Sequence, residues 1–161
     1  MKQVLLVALA SLTLATACKK DDSTPATPAP MTVSGSMTNA NEVPAAPVVS
    51  AATGSFTGTY DKSTNLLTYT LTFSGLSGNA TAAHLHFGDA KHKGNVWLPF
   101  SNVPAATSGT VTGTAVLTTT AATSTTAASS QPDSLLLGHV YANIHTASNP
   151  NGEIRGTVVV K

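Results

Sequence analysis

The sequence predicts an all-β domain, a β-sandwich or Greek-key barrel, from three observations. Charged residues make up only 9% of the chain, while Thr, Ser, Ala and Gly dominate, a composition that suits short strands better than amphipathic helices. Apolar and polar residues alternate with a period of two in several segments. Turn residues separate these segments at close intervals, and the sequence has no long helical pattern.

The clearest strand covers residues 67–73, where apolar residues alternate with threonine from Leu67 to Phe73. One face of this strand should lie in the core and the other in solvent. Segments that alternate in the same way, or that are rich in Thr and Val, predict the remaining strands. They are residues 32–38, 53–60, 82–87, 110–117, 138–146 and 154–160.

Turn signals lie between these segments. Residues 61–65 should form a hairpin turn. Residues 149–152, Asn-Pro-Asn-Gly, should form another, because Asn and Gly tolerate a positive φ and Pro presets its own. Residues 131–137 are predicted to hold one helical turn, with Asp133 or Ser134 as its cap.

Residues 1–17 are predicted to be a signal peptide and not part of the fold. Lys2 precedes an apolar stretch with too few residues to span a bilayer. The small residues before Cys18, the only cysteine, resemble the lipobox of bacterial lipoproteins, in which the cysteine thiol carries diacylglycerol. An ordinary secretory signal with an incidental cysteine is the alternative.

Residues 18–31 are predicted to be a lipidated cysteine and a tether. The segment Cys18-Lys19-Lys20-Asp21-Asp22 is similar to the signal that sends some Gram-negative lipoproteins to the outer face of the outer membrane. A periplasm-facing anchor is the alternative. Residues 23–30 are rich in proline, which favours extended polyproline II and spaces the domain roughly 25 Å from the lipid. We therefore expect an outer-membrane lipoprotein exposed on the cell surface.

Residues 32–161 are enough for one domain with one core. Without residues 1–17, seven basic and seven acidic side chains remain. A formal charge near zero argues against nucleic acid as a partner. The sequence contains no nucleophile elbow, paired carboxylates, phosphate loop or dinucleotide fingerprint. It therefore predicts no catalytic residue, and a binding protein is favoured over an enzyme.

The principal candidate site is formed by His84 and His86, which are two residues apart. On a strand both imidazoles project from the same face, and their apolar neighbours face the core. His145, in the predicted strand at 138–146, has the same orientation. If these two strands are neighbours, the three imidazoles suit copper or zinc. A structural hydrogen-bond network is the alternative.

Four further polar residues are weaker candidates. His92 lies in a Gly- and Lys-rich loop just after the predicted strand at 82–87. It could be a fourth ligand, although a histidine in such a loop is more commonly solvated. Asp89 is the nearest carboxylate that could orient a ligand ring. Glu153 and Arg155 are two residues apart and share a face of the last strand. We expect them to form a surface ion pair across strands, worth about 0–1 kcal/mol. The alternative is that Arg155 steers an anion toward a metal.

Several segments of the domain resemble the CHRD family, named after the repeated domain of chordin. They span roughly residues 32 to 160, in the family's order. In this sequence they read Asn41-Glu42-Val43-Pro44, Leu76-Ser77-Gly78, Ala83-His84-Leu85-His86, Tyr141-Ala142-Asn143-Ile144-His145-Thr146 and Asn149-Pro150-Asn151-Gly152-Glu153-Ile154-Arg155-Gly156. The resemblance implies an immunoglobulin-like, superoxide-dismutase-like Greek-key β-sandwich. It implies no settled biochemical activity.

A more distant similarity is to the copper/zinc superoxide dismutases. The segment from His84 to Asp89 looks like their His-x-His copper strand, and His145 looks like their later copper histidine. Arg155 lies near the expected position of their anion-guiding arginine. The long loop with their bridging histidine and zinc ligands is missing, and their disulfide cannot form. Dismutase activity is therefore not expected.

Together these observations predict a lipid-anchored, non-catalytic binding module with a histidine-based site for copper or zinc. Its partners would be the membrane, through the anchor, and an extracellular protein or glycan. The alternative is a copper redox protein that uses His84, His86 and His145.

Overall fold

A computed structural model describes residues 28–120 and 129–161 of the chain. The predicted signal peptide, Cys18 and most of the tether lie outside the described residues. Within the described part, no helix is both long and apolar enough to cross a membrane.

The described residues hold eleven strands, one α-helix and one 3₁₀ turn. In chain order they are β1 Met31–Thr38, the 3₁₀ turn Asn39–Asn41, β2 Thr53–Asp61, β3 Leu66–Ser74, β4 Ala80–Phe87, β5 Val96–Pro99, β6 Gly109–Val116, β7 Thr119–Thr120, β8 Ser129–Ser130, α1 Gln131–Leu136, β9 Val140–Thr146, β10 Ile154–Thr157 and β11 Val159–Val160. The predicted all-β fold is confirmed.

One curled antiparallel sheet contains nine of these strands, in the order β5-β4-β9-β10-β1-β2-β3-β6, with β11 paired to β1. The connection from β3 to β4 crosses from one end of this order toward the other, and the connection from β5 to β6 crosses back. These crossings place β4, β5 and β9 in one half of the sheet and β2, β3 and β6 in the other. The first strand joins the halves because it pairs with both β10 and β2.

The core lies between the two halves of the curled sheet. In β3 the alternation has the expected result, because Leu67, Tyr69, Leu71 and Phe73 are all buried. Phe100, just after β5, packs on the rings of Tyr69 and Phe56, with centroid distances of 4.8 and 6.2 Å. Each such aromatic or aliphatic side chain contributes about 1.5–3 kcal/mol when it is fully buried.

The structure differs from the sequence-based prediction at the last strand and at β5. The predicted strand at 154–160 is divided, because the N–H of Val158 leaves the pairing with β1 and donates to the carbonyl of Val140. The segment that forms β5 was not predicted. It has only four residues and ends in Pro99, so it carries too little alternation to be detected.

Helix α1 begins earlier than the predicted caps allow. Its N-cap is Ser130, whose side chain accepts a hydrogen bond from the N–H of Asp133. Pro132 occupies the first turn, where the missing N–H costs nothing. The prediction of Asp133 or Ser134 as the cap is therefore wrong by three or four residues.

Candidate metal centre

The two strands that carry the candidate histidines are neighbours. In the pairing of β4 with β9, Ala82 lies opposite His145, His84 opposite Asn143 and His86 opposite Tyr141. The intervening residues, such as Leu85, are buried in the core. His84, His86 and His145 therefore project from the outer face of two adjacent strands, as their spacing predicts.

One ring nitrogen from each of these three histidines lies within 4.8 Å of the others. The closest pair is His84 Nδ1 and His145 Nε2, which are 3.2 Å apart. Two imidazole nitrogens bound tetrahedrally at about 2.0 Å to one ion would themselves be about 3.3 Å apart. The His84–His145 pair therefore has the spacing of two ligands of one transition-metal ion, and His86 lies beside this pair.

Backbone carbonyls fix the protonation of two of the rings. His86 Nδ1 lies 3.1 Å from the carbonyl oxygen of Gly94, and His145 Nδ1 lies 3.0 Å from that of Pro150. A carbonyl only accepts, so each Nδ1 carries the hydrogen and each Nε2 keeps its lone pair. The Nε2 atom of His86 is buried and has no hydrogen-bond partner among residues 28–120 and 129–161. This buried, unpaired nitrogen fits a metal ligand better than it fits a structural hydrogen-bond network.

Burial keeps the cluster neutral. It is the main cause that lowers the pKa of His86 from 6.5 to about 4; the hydrogen bond to the Gly94 carbonyl opposes this shift, and His84, His145 and Arg155 add to it. Burial also lowers the pKa of His84, with an added effect from His145, and it lowers the pKa of His145. At neutral pH all three rings are therefore in the neutral form that binds metal.

His92 is not part of this cluster. Its side chain is 76% exposed and its Nδ1 lies 2.9 Å from the carboxylate of Asp89, three residues earlier. That carboxylate also accepts from the N–H groups of Lys91 and His92. Asp89 therefore stabilises the turn at residues 89–92 and does not orient a ring of the cluster. His92, the predicted fourth ligand, does not lie with the other three histidines.

The expected surface ion pair between Glu153 and Arg155 does not form. Glu153 is fully buried and accepts hydrogen bonds from Ser77 and from the hydroxyl of Thr146. Arg155 is only 2% exposed. The prediction is wrong because loops fold over this face of β10, which local spacing does not show.

Arg155 is bound by backbone and by an aromatic ring. Its guanidinium donates to the carbonyl oxygens of Val43, Asp89 and His92. The guanidinium carbon lies 3.5 Å from the centre of the Tyr141 ring, a cation–π contact. The ring of Tyr141 is in turn parallel to that of His86, with centroids 4.9 Å apart and an angle of 5°.

Sequence reasoning missed the chemistry of Glu42 and Asn143. Glu42 is 7% exposed, and its carboxylate accepts from Asn143 Nδ2 at 3.0 and 3.1 Å. Burial raises the pKa of Glu42 to about 7, although Asn143 and the charge of Arg155 oppose the shift. The signal was available in the Asn41-Glu42-Val43-Pro44 motif, but local sequence does not show that this motif packs against β9.

Gly152 holds this pair in place. Its φ is +131°, and a Cβ there would lie 2.5 Å from Asn143 Nδ2 and 2.7 Å from Glu42 Oε1. A glycine is therefore required for both conformation and space. Four of the segments that carry the family resemblance, residues 41–44, 83–86, 141–146 and 149–156, contribute to the lining of one cavity of about 210 Å³. Its polar lining residues include Glu42, His86, Lys93, Asn143, His145 and Arg155.

These features define a class of protein, an all-β domain with three neutral imidazoles gathered on the outer face of its curled sheet. A family model described as the CHRD domain matches residues 33–158, and the chain belongs to this family. The family membership predicted from the sequence segments is confirmed. Searches of curated proteins and of solved structures gave no match.

Proposed function

We propose that this CHRD domain is a binding module that holds one copper or zinc ion on His84, His86 and His145. The observation that carries the proposal is the set of three neutral rings, each with one ring nitrogen that lies within 4.8 Å of those of the other two. Two of the rings donate hydrogen bonds to backbone carbonyls, the kind of contact that orients metal-binding histidines in other proteins. Imidazole is a preferred ligand of both copper and zinc.

A titration of the purified protein with Cu(II), and separately with Zn(II), tests the proposal. We expect one equivalent of metal to bind with micromolar affinity or better. The His86→Ala variant should lose this binding. His92→Ala and His139→Ala change exposed histidines outside the cluster and serve as matched controls that should bind like the wild type. Binding weaker than micromolar, or binding that survives His86→Ala, would refute the proposal.

A copper redox protein is the second candidate. It is favoured by the cavity of about 210 Å³ that His86 and His145 line, because three protein ligands with room for another ligand are typical of catalytic metal sites. Copper would supply a redox centre there. The two candidates differ in the rate at which the copper-loaded protein consumes superoxide. A rate no greater than that of an equal concentration of copper mixed with the His86→Ala variant leaves only the binding module.

We further propose that Cys18 carries the lipid that anchors the module to the bacterial outer membrane, facing the medium. The support is the sequence of residues 1–31, and at that location the partner would be an extracellular protein or a glycan. Metabolic labelling with an alkyne fatty acid should mark the wild type and not Cys18→Ala. Protease digestion of intact cells should remove the domain, whereas protection would indicate a periplasm-facing anchor.

A further inference from the structure

We propose that Arg155 is the positioning residue of the metal centre, holding His86 in its ligand orientation through Tyr141 and the β4–β5 loop, residues 88–95. The inference rests on the proposed function, because it concerns the same histidine cluster. It adds a role for a buried cation that does not contact the ligand nitrogens.

His86 has two supports. Its ring lies parallel on that of Tyr141, and its Nδ1–H donates to the carbonyl of Gly94. The first support sets the plane of the imidazole and the second sets its rotation and its tautomer. With both in place, Nε2 is the ring nitrogen that has no hydrogen-bond partner within the described part of the chain.

Arg155 contacts the elements that provide both supports. β9 lies between β4 and β10 in the sheet, so His86 and Arg155 reach the ring of Tyr141 from opposite sides. The same guanidinium donates to the carbonyls of Asp89 and His92, which belong to the β4–β5 loop, as does Gly94. The three side chains His86, Tyr141 and Arg155 therefore form a stacked column, and the guanidinium also fastens the loop beside it.

An ordinary stabilising ion pair does not explain this arginine. Among the described residues, no carboxylate lies within 4.0 Å of its guanidinium. Burying a cation without a carboxylate partner costs free energy unless its donors are satisfied. Here the planar fork of donors reaches three backbone carbonyls at once, a geometry that the single ammonium group of lysine does not reproduce.

The test compares Arg155→Lys with Ile154→Val in the purified protein. Ile154→Val is the matched control, because it destabilises the same strand from its core side without touching the column. In the metal-free proteins, ¹⁵N NMR of the imidazoles should show one His86 tautomer, with the hydrogen on Nδ1, in the wild type and in Ile154→Val. Arg155→Lys should show both tautomers. Copper affinity should fall tenfold to a hundredfold in Arg155→Lys, with a changed visible spectrum, and should stay within twofold of wild type in Ile154→Val.

A purely structural role would lower the melting temperature of Arg155→Lys and leave the tautomer, the copper affinity and the spectrum unchanged, and that result overturns the inference. If Arg155→Lys does not fold, Tyr141→Leu removes the middle of the column instead, and unchanged tautomer and affinity in that variant overturn it equally. Failure of the wild type to bind copper would refute the proposed function. The tautomer measurement on the metal-free protein would still decide the role of Arg155.

Discussion

His84 Nδ1 and His145 Nε2 lie 3.2 Å apart although 61 positions separate the two residues in the chain. Without a metal ion, one hydrogen shared between these nitrogens would join β4 to β9. With an ion, both lone pairs would point to it, and the hydrogen on His84 would be lost from Nδ1. This pair of nitrogens is therefore where metal binding and the stability of the sheet are coupled.

We expect metal to stabilise the fold. A ligand that binds only the native state adds about 2.7 kcal/mol at a free concentration one hundred times its Kd. The melting temperature should therefore rise with added Zn(II) in the wild type and in His139→Ala. It should not rise in His84→Ala, and a rise in that variant would place the ion elsewhere.

Copper affinity should fall at acid pH. The pKa of His86 is lowered to about 4, and burial lowers those of His84 and His145 as well. The cluster therefore stays neutral through a pH range in which solvated histidines become protonated. Titrations at successive pH values should show that the affinity falls at a lower pH than expected for solvated histidines and is lost toward pH 4. Loss already complete at pH 6 would mean that the ligands are exposed histidines.

The metal-free protein should lose stability over the same range. For His86 the unfolded state, with a pKa of 6.5, binds a proton more readily than the folded state, with a pKa of about 4. The free energy of unfolding therefore falls as the pH drops from 6.5 toward 4. Urea denaturation at several pH values gives the free energy of unfolding of the wild type and of His86→Ala. This free energy should depend less steeply on pH in the variant, and an equal dependence would contradict the burial of the His86 ring.

Glu42 should act in the opposite direction. Its pKa rises from 4.5 in the unfolded chain to about 7 in the folded protein, so the folded state binds the proton more tightly. Its contribution to stability is present below pH 4.5 and is lost as the pH rises through 7. Glu42→Gln removes this loss. We expect the free energy of unfolding, measured by urea denaturation, to be about 2 kcal/mol higher in Glu42→Gln than in the wild type at pH 8. This difference should shrink toward pH 4.

Gly152→Ala should destabilise the protein more than Gly138→Ala. Both glycines have a positive φ, +131° and +72°, which costs alanine about 1–2 kcal/mol. A Cβ at Gly138 meets nothing within 4 Å, whereas one at Gly152 meets Asn143 and Glu42. Urea denaturation of the two variants separates the cost of the positive φ, which both share, from the steric overlap with Asn143 and Glu42, which only Gly152→Ala has. Equal losses in the free energy of unfolding would show that the Glu42–Asn143 pair can move aside.

The sequence was sufficient for what depends on local periodicity. The alternation in β3 and the period-two spacing of His84 and His86 set the faces of their strands, because side chains on a strand alternate whatever it pairs with. The spacing also gave His145 its orientation. The family resemblance came from short motifs whose order along the chain is fixed.

Other features depend on contacts between distant segments. No local pattern shows that loops bury Glu153 and Arg155, so a surface ion pair was the reasonable expectation for two charged residues on one strand face. The same is true of Glu42, which lies in a loop and becomes part of the site only because Asn143 of β9 donates to it. The burial and the contacts of these residues follow from the packing of distant segments, and the periodicity of the sequence does not predict them.

X-ray absorption spectroscopy of the purified protein with one equivalent of copper tests the central claim most directly. We expect three imidazole ligands at about 2.0 Å, loss of this three-imidazole signal in His145→Ala, and no change in His92→Ala. A spectrum dominated by oxygen ligands, or an imidazole count that does not change in His145→Ala, would contradict the assignment of the metal to His84, His86 and His145.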